Sequence, residues 1–161
     1  MWSELQDVLG RLRRIQGDDL PDSRLLADAF PNPHYLWLRR RDIVAQAVSW
    51  ARALQTDQWQ SSRAPLRDPK FDFAQIAGLV QLVRDEEAAW SSWFESNGIA
   101  AEEVFYEDLA AEPRQEVSKI VGSLGLELPA NVELRPYPGF ERQADALNID
   151  WCNRYRARSK S

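Results

Sequence analysis

Apolar residues recur with helical spacing along most of the chain, interrupted by two short continuous runs. Leu5, Val8, Leu9, Leu12 and Ile15 repeat at steps of three and four, which predicts an amphipathic helix over 3–16. Gly17-Asp18-Asp19 ends it. A short helix opens at Asp22 or Ser23 and runs to Phe30, where Pro31 and Pro33 stop it. Tyr35-Leu36-Trp37-Leu38-Arg39 is an unbroken run between prolines and charges, the pattern of a buried strand of the kind found in parallel sheets. A helix over 41–58 follows, with Ile43, Ala47, Trp50, Ala51 and Leu54 on one face. Residues 59–71 carry no period and read as a polar loop. A long helix over 72–96 places Phe73, Ile76, Val80, Val83, Trp90 and Phe94 on one stripe, and Asn97-Gly98 supplies a left-handed stop. Val104-Phe105-Tyr106 is the second strand. Pro113 then opens a helix that buries Val117, Ile120, Val121 and Leu124 before Gly125. Residues 126–141 are extended and proline-rich, and a last helix covers 148–158.

This order predicts an α/β fold, helix-rich with a small residual parallel sheet. It also predicts one domain over 1–161: a core over 1–125, then a loop and helix over 126–161. Two short strands do not make a self-sufficient sheet, because each needs paired neighbours and covered faces. The expectation is that further strands exist elsewhere or that a partner supplies them.

Bulk composition narrows the function classes. At 161 residues the chain is long enough to bury a real core. No apolar run approaches bilayer length, so no membrane span is expected. Met1-Trp2-Ser3-Glu4 shows no basic segment leading into an apolar one, the start of a secretory signal. One cysteine, Cys152, precludes an internal disulfide and fits a reducing cytoplasm. A net charge of −5 argues against nucleic-acid binding. Of the 20 basic residues all but Lys70, Lys119 and Lys160 are Arg, whose planar fork suits phosphate and sulfate oxygens. A GC-rich genome gives the same bias, so composition by itself assigns no function.

The chemistry concentrates between Tyr35 and Trp59. There a strand runs into Arg39-Arg40-Arg41-Asp42 and then a helix bearing Asp42, Gln46, Ser49 and Arg52 at steps of 4, 3 and 3. Those four share one helical face. Ser49 lies about 12 Å along the helix from Arg41, at 1.5 Å per residue. An anion on this face would meet an Arg fork, a Ser hydroxyl and the start of a helix. A solvated face of i,i+3 and i,i+4 polar pairs has the same spacing, so spacing alone leaves both readings open.

An Arg followed eight or nine residues later by Ser on the next helix resembles the 3′-phosphate motif of sulfotransferases that use PAPS (3′-phosphoadenosine 5′-phosphosulfate). The longer run from Arg40 through Trp59 is similar to the Stf0 group of bacterial, trehalose 2-sulfotransferase-like enzymes. So are Tyr106-Glu107-Asp108-Leu109-Ala110-Ala111-Glu112-Pro113 and the tail Arg142-Gln143-Ala144-Asp145 with Trp151 beyond. The resemblance extends from Met1 to about Arg158. It implies a P-loop sulfotransferase-like fold, of which this chain is a truncated, carboxyl-terminal portion. It implies sulfuryl transfer from PAPS to a carbohydrate hydroxyl on a trehalose-like sugar or glycolipid. Carried over residue by residue, Ser49 with Arg41 or Arg40 would hold the 3′-phosphate. Arg142 and Gln143 would reach the nucleotide from the carboxyl-terminal loop.

The group's Gly-rich phosphosulfate loop, and the carboxylate expected just after it, have no counterpart here. None of Gly10, Gly17, Gly78, Gly98, Gly122, Gly125 and Gly139 lies in a loop between a buried strand and a helix. No catalytic residue is therefore assigned. His34 reads as structural or surface, and Asp85-Glu86-Glu87 as a solvated run. One Cys and one His give no metal set. The alternative expectation is a non-catalytic sulfotransferase remnant that binds a nucleotide or a protein partner. A bare sheet edge would favour a homodimer or a completing chain.

Overall fold

The computed structural model describes residues 2–17, 19–59, 67–134 and 146–160. Among them the order is α1 (Trp2–Gln16), α2 (Asp22–Ala29), β1 (Leu36–Arg39), α3 (Ile43–Thr56), α4 (Phe73–Ser96), β2 (Glu102–Phe105), α5 (Tyr106–Ala111), α6 (Pro113–Ser123) and α7 (Ala146–Arg158). The expected helix-rich α/β arrangement with a small sheet is found: β1 and β2 pair in parallel. The chain divides into two compact units, Met1–Arg39 with Arg84–Val104, and Arg40–Val83 with Phe105–Ser161.

In the first unit α1 packs on α2, and Leu9, Leu25, Leu26, Trp93 and Phe94 are buried together. Aromatic rings close around this centre. Trp90 stands edge-on to Trp2 at 5.3 Å and to Trp93 at 5.9 Å, and Trp37 of β1 meets Phe94 at 5.4 Å. Asp22 ties the start of α2 down twice, pairing with Arg13 and accepting the Trp93 indole N–H at 2.8 Å. The α1 stripe is narrower than the apolar spacing predicts, since Ile15 is 80% exposed. Gly98, at φ 61°, turns the chain out of α4 towards β2. His34 meets Glu102 at 3.0 Å, the surface role expected of it.

In the second unit the core is Ala47, Val48, Ala51, Ile76, Leu79, Val80, Trp151 and Cys152. Small alanines on α3 let α7 approach closely. The two helices run antiparallel, because Asp42 and Arg52 near the two ends of α3 meet Arg156 and Asn148 of α7 respectively. Asp42 caps α3, its carboxylate accepting the Ala45 N–H at 3.0 Å. At the other end Asp57 takes φ 54° and stops the helix.

Three features depart from the sequence pattern. β2 starts two residues earlier than expected, and Tyr106 belongs to α5 rather than to the strand. The short α5 carries too few apolar positions to register as a period. On α6 no residue is fully buried and Leu124 is 47% exposed, because its packing partner is six-residue α5.

Candidate functional site

The candidate site lies where the chain passes from β1 into α3, and its described side chains belong to the second unit. Arg40 lays its guanidinium over the Tyr106 ring, 3.9 Å from the centroid. It makes no hydrogen bond or ion pair with any described residue. Arg41 is committed elsewhere. Its two terminal nitrogens donate to the two carboxylate oxygens of Asp108 at 2.5 and 2.6 Å, and its guanidinium covers the Phe105 ring at 4.1 Å. The fork with Asp108 raises the Arg41 pKa and lowers that of Asp108.

Glu107 holds the helix start. It accepts the backbone N–H of Arg41 at 3.1 Å and of Asp42 at 3.4 Å. Burial alone would raise its pKa, but these N–H donors outweigh burial and hold it below the usual carboxylate range. Asp42 receives Arg156 on both oxygens, at 2.7 and 2.8 Å. Burial again pushes its pKa up, while the Ala45 N–H and Arg156 bring the net value down. The N–H groups of Arg41, Asp42 and Ala45 around the start of α3 are thus already taken by two carboxylates of this chain.

The polar line of α3 is present but not uniform. Asp42 and Arg52 reach α7, whereas the half-buried Ser49 makes no hydrogen bond among the described residues. Ser49 lies two turns along the same face as Asp42, about 10 Å further on. Arg40, Arg41 and Ser49 all belong to the second unit. Arg142 and Gln143 lie outside the described residues. In the first unit Arg39 is held by Glu103 at 3.0 Å and Glu87 at 3.4 Å, which removes it as an anion ligand. It also makes Glu87 an ion-pair partner rather than part of a solvated run.

Glu107, Asp108 and Arg156 went unnoticed in the sequence as parts of this junction. Arg156 is 114 residues from Asp42, and no local spacing reports such a pair. Tyr106-Glu107-Asp108 did stand out as a string, though nothing in it says what its side chains reach.

Replacing Asp42 tests how the junction is held. Asp42→Ala is expected to destabilise the protein by about 1 kcal/mol through the lost cap. The half-exposed pair with Arg156 should add less than about 0.5 kcal/mol. Because the folded pKa of Asp42 is depressed, its contribution is complete above the ordinary carboxylate value and is lost as pH falls through the folded one. Thermal melts at pH 7 and at successively lower pH should therefore converge for wild type and variant in acid. A gap that stays constant would refute the assignment.

Of the three arginines at this junction, Arg40 is the one whose fork is left to suit a phosphate or sulfate group. A sequence model of the Stf0 sulphotransferases matches residues 1–158, and the chain belongs to that family. The trehalose 2-sulfotransferase of Mycobacterium tuberculosis is 32% identical to it across 98% of this chain and 59% of that protein. That of Mycolicibacterium smegmatis is 31% identical across 97% of this chain and 58% of that protein. The chain thus spans 59% or less of the length of these curated relatives. No helix among the described residues is long and apolar enough to cross a membrane.

Proposed function

We propose that this chain carries the 3′-phosphate-binding half of a PAPS-dependent sulfotransferase acting on a carbohydrate hydroxyl, with a trehalose-like sugar or glycolipid as acceptor. Family membership supports the reaction class, and the two curated relatives support the acceptor class. The observation that carries the assignment to this region is Arg40. It is a cation at the β1–α3 junction that makes no hydrogen bond or close ion pair among the described residues, although its charge acts on Glu107. The Ser49 hydroxyl of the following helix makes no hydrogen bond among them either. Arg40 and Ser49 would hold the 3′-phosphate, with Arg142 and Gln143 closing on the nucleotide from the carboxyl-terminal loop. Bound PAPS supplies the sulfuryl group. The residues of this chain bind and orient it. On this proposal residues 1–161 belong to a P-loop sulfotransferase-like domain that works in the cytoplasm.

Calorimetric titration with PAP (adenosine 3′,5′-bisphosphate), with ADP as the control lacking the 3′-phosphate, tests the reading. Selective binding of PAP is expected. Ser49→Ala should weaken it by about 1–2 kcal/mol, the worth of one hydrogen bond to a charged group. Equal affinity for PAP and ADP would overturn the proposal.

One observation favours a second reading, a non-catalytic remnant that binds a partner or a second copy of itself. On β1, Leu36 is 46% and Leu38 56% exposed, while the alternating Trp37 and Arg39 are half-buried. Parallel sheets are normally covered on both faces. A covering chain would protect these leucines, and sedimentation would then show a dimer or a complex rather than a monomer.

A further inference from the structure

Three consecutive residues at the start of α5 grip three consecutive residues of the β1–α3 junction. Tyr106 lies against the Arg40 guanidinium, Asp108 forks onto that of Arg41, and Glu107 accepts the N–H groups of Arg41 and Asp42. We propose that Glu107 and Asp108 are positioning residues of the anion site, which commit Arg41 to the protein so that Arg40 is the arginine presented to the ligand. The inference rests on the function proposed above.

Guanidinium geometry supports it. A guanidinium offers its N–H groups in the plane and its faces above and below. The Arg41 edge formed by its two terminal nitrogens, which a phosphate would need for a two-point contact, is filled by Asp108. A phosphate taking that edge would have to displace a carboxylate. Arg40 is used in the opposite way. The Tyr106 ring occupies a face at 3.9 Å, and that contact leaves the in-plane N–H groups available. Stacking also restricts the side chain, so less freedom is lost when an anion binds.

Glu107 adds a second selection. Its carboxylate sits on the helix-start N–H groups that would otherwise cradle an anion. A phosphate brought to the same donors would meet a like charge. The favourable place for it is therefore away from the helix start, towards the Arg40 edge and the Ser49 hydroxyl. In this account the Glu-Asp pair sets which arginine binds without touching the ligand.

The test uses the full chain, its Asp108→Asn and Glu107→Gln variants, and Asp108→Glu as a rescue. Phenylglyoxal labelling, read by tandem mass spectrometry, distinguishes Arg40 from Arg41. In wild type Arg40 should be modified first, because Asp108 occupies the two terminal nitrogens of Arg41 that the reagent must reach. PAP should protect Arg40. In Asp108→Asn, Arg41 should become as reactive as Arg40. PAP affinity should rise by about 3- to 10-fold in Asp108→Asn, which removes a carboxylate and frees the Arg41 edge, return towards wild type in Asp108→Glu, and rise in Glu107→Gln. A purely structural role would lower the melting temperature and leave the labelling order intact. Arg41 labelled as fast as Arg40 in wild type would overturn the inference, as would unchanged PAP affinity in both carboxamide variants. If wild type does not bind PAP at all, the proposed function fails, and the labelling order alone then decides whether Asp108 commits Arg41.

Discussion

Trp151→Ala is expected to cost about 3–5 kcal/mol, the range for deleting a large aromatic side chain from a packed core. Trp151 is 2% exposed and is the largest of the fully buried side chains. It sits where α3, α4 and α7 meet, among Ala47, Val48, Ala51, Ile76, Leu79 and Val80, with Phe71 edge-on at 5.9 Å. Its α3 neighbours are small, so they cannot move in to fill the space an indole leaves. A domain of this size is stable by about 5–15 kcal/mol in all, so the loss is a large share of the total. Urea unfolding followed by circular dichroism reads it directly, with Trp59→Ala as the control because Trp59 is 59% exposed. A loss for Trp151→Ala as small as the control's would show that the α3–α7 seam does not depend on this side chain. The variant bears on function too, since loosening α7 would release Arg156 from Asp42 at the candidate site.

Arg40→Gln is expected to lower PAP affinity by about 10- to 100-fold, which corresponds to removing a charged hydrogen-bond donor worth 1.5–3 kcal/mol. Folding should hardly change, because Arg40 makes no hydrogen bond or close ion pair among the described residues, and its interactions are one aromatic face and a charge–charge attraction to Glu107. Arg41→Gln should show the opposite profile. Its direct share of binding is small, but it leaves Asp108 as an uncompensated negative charge near the ligand. A loss of about 3-fold is anticipated for it, from repulsion between partly exposed charges. ADP affinity should be insensitive to both changes. Were Arg41→Gln the more damaging of the two, the roles of the two arginines would have to be exchanged. The sequence alone left that choice open, since both spacings to Ser49 reach.

What could be read without a structure follows from periodicity. The long helix α4 was visible because Ile76, Val80, Val83 and Phe94 recur on one stripe, and all four are buried. α1 and α3 were visible for the same reason, and β1 stood out as an apolar run between prolines and charges. The misreadings share a cause. Ile15 and Leu124 have the right spacing but lie largely exposed, because burial needs a neighbour and spacing cannot say whether one is there. Trp93 is the more buried ring where the pattern put Trp90, since a broad aromatic stripe on a long helix does not disclose which ring faces inward.

The candidate site divides along the same line. The sequence by itself determined the residue types and their order: three arginines after a strand, an aspartate able to cap, and a serine two turns along one helical face. Those are local facts, set by backbone geometry over a few residues. Tertiary structure alone decided what each of them does. It put Arg39 between Glu87 and Glu103, Arg41 in the grip of Asp108, Glu107 on the helix start and Arg156 on Asp42, leaving Arg40 and Ser49 without such partners. Apart from Arg39, each of these pairs spans 65 to 114 positions of chain. Chain distance carries no information about a guanidinium's partner, because an ion pair forms wherever packing brings charges together, and packing is a property of the whole fold.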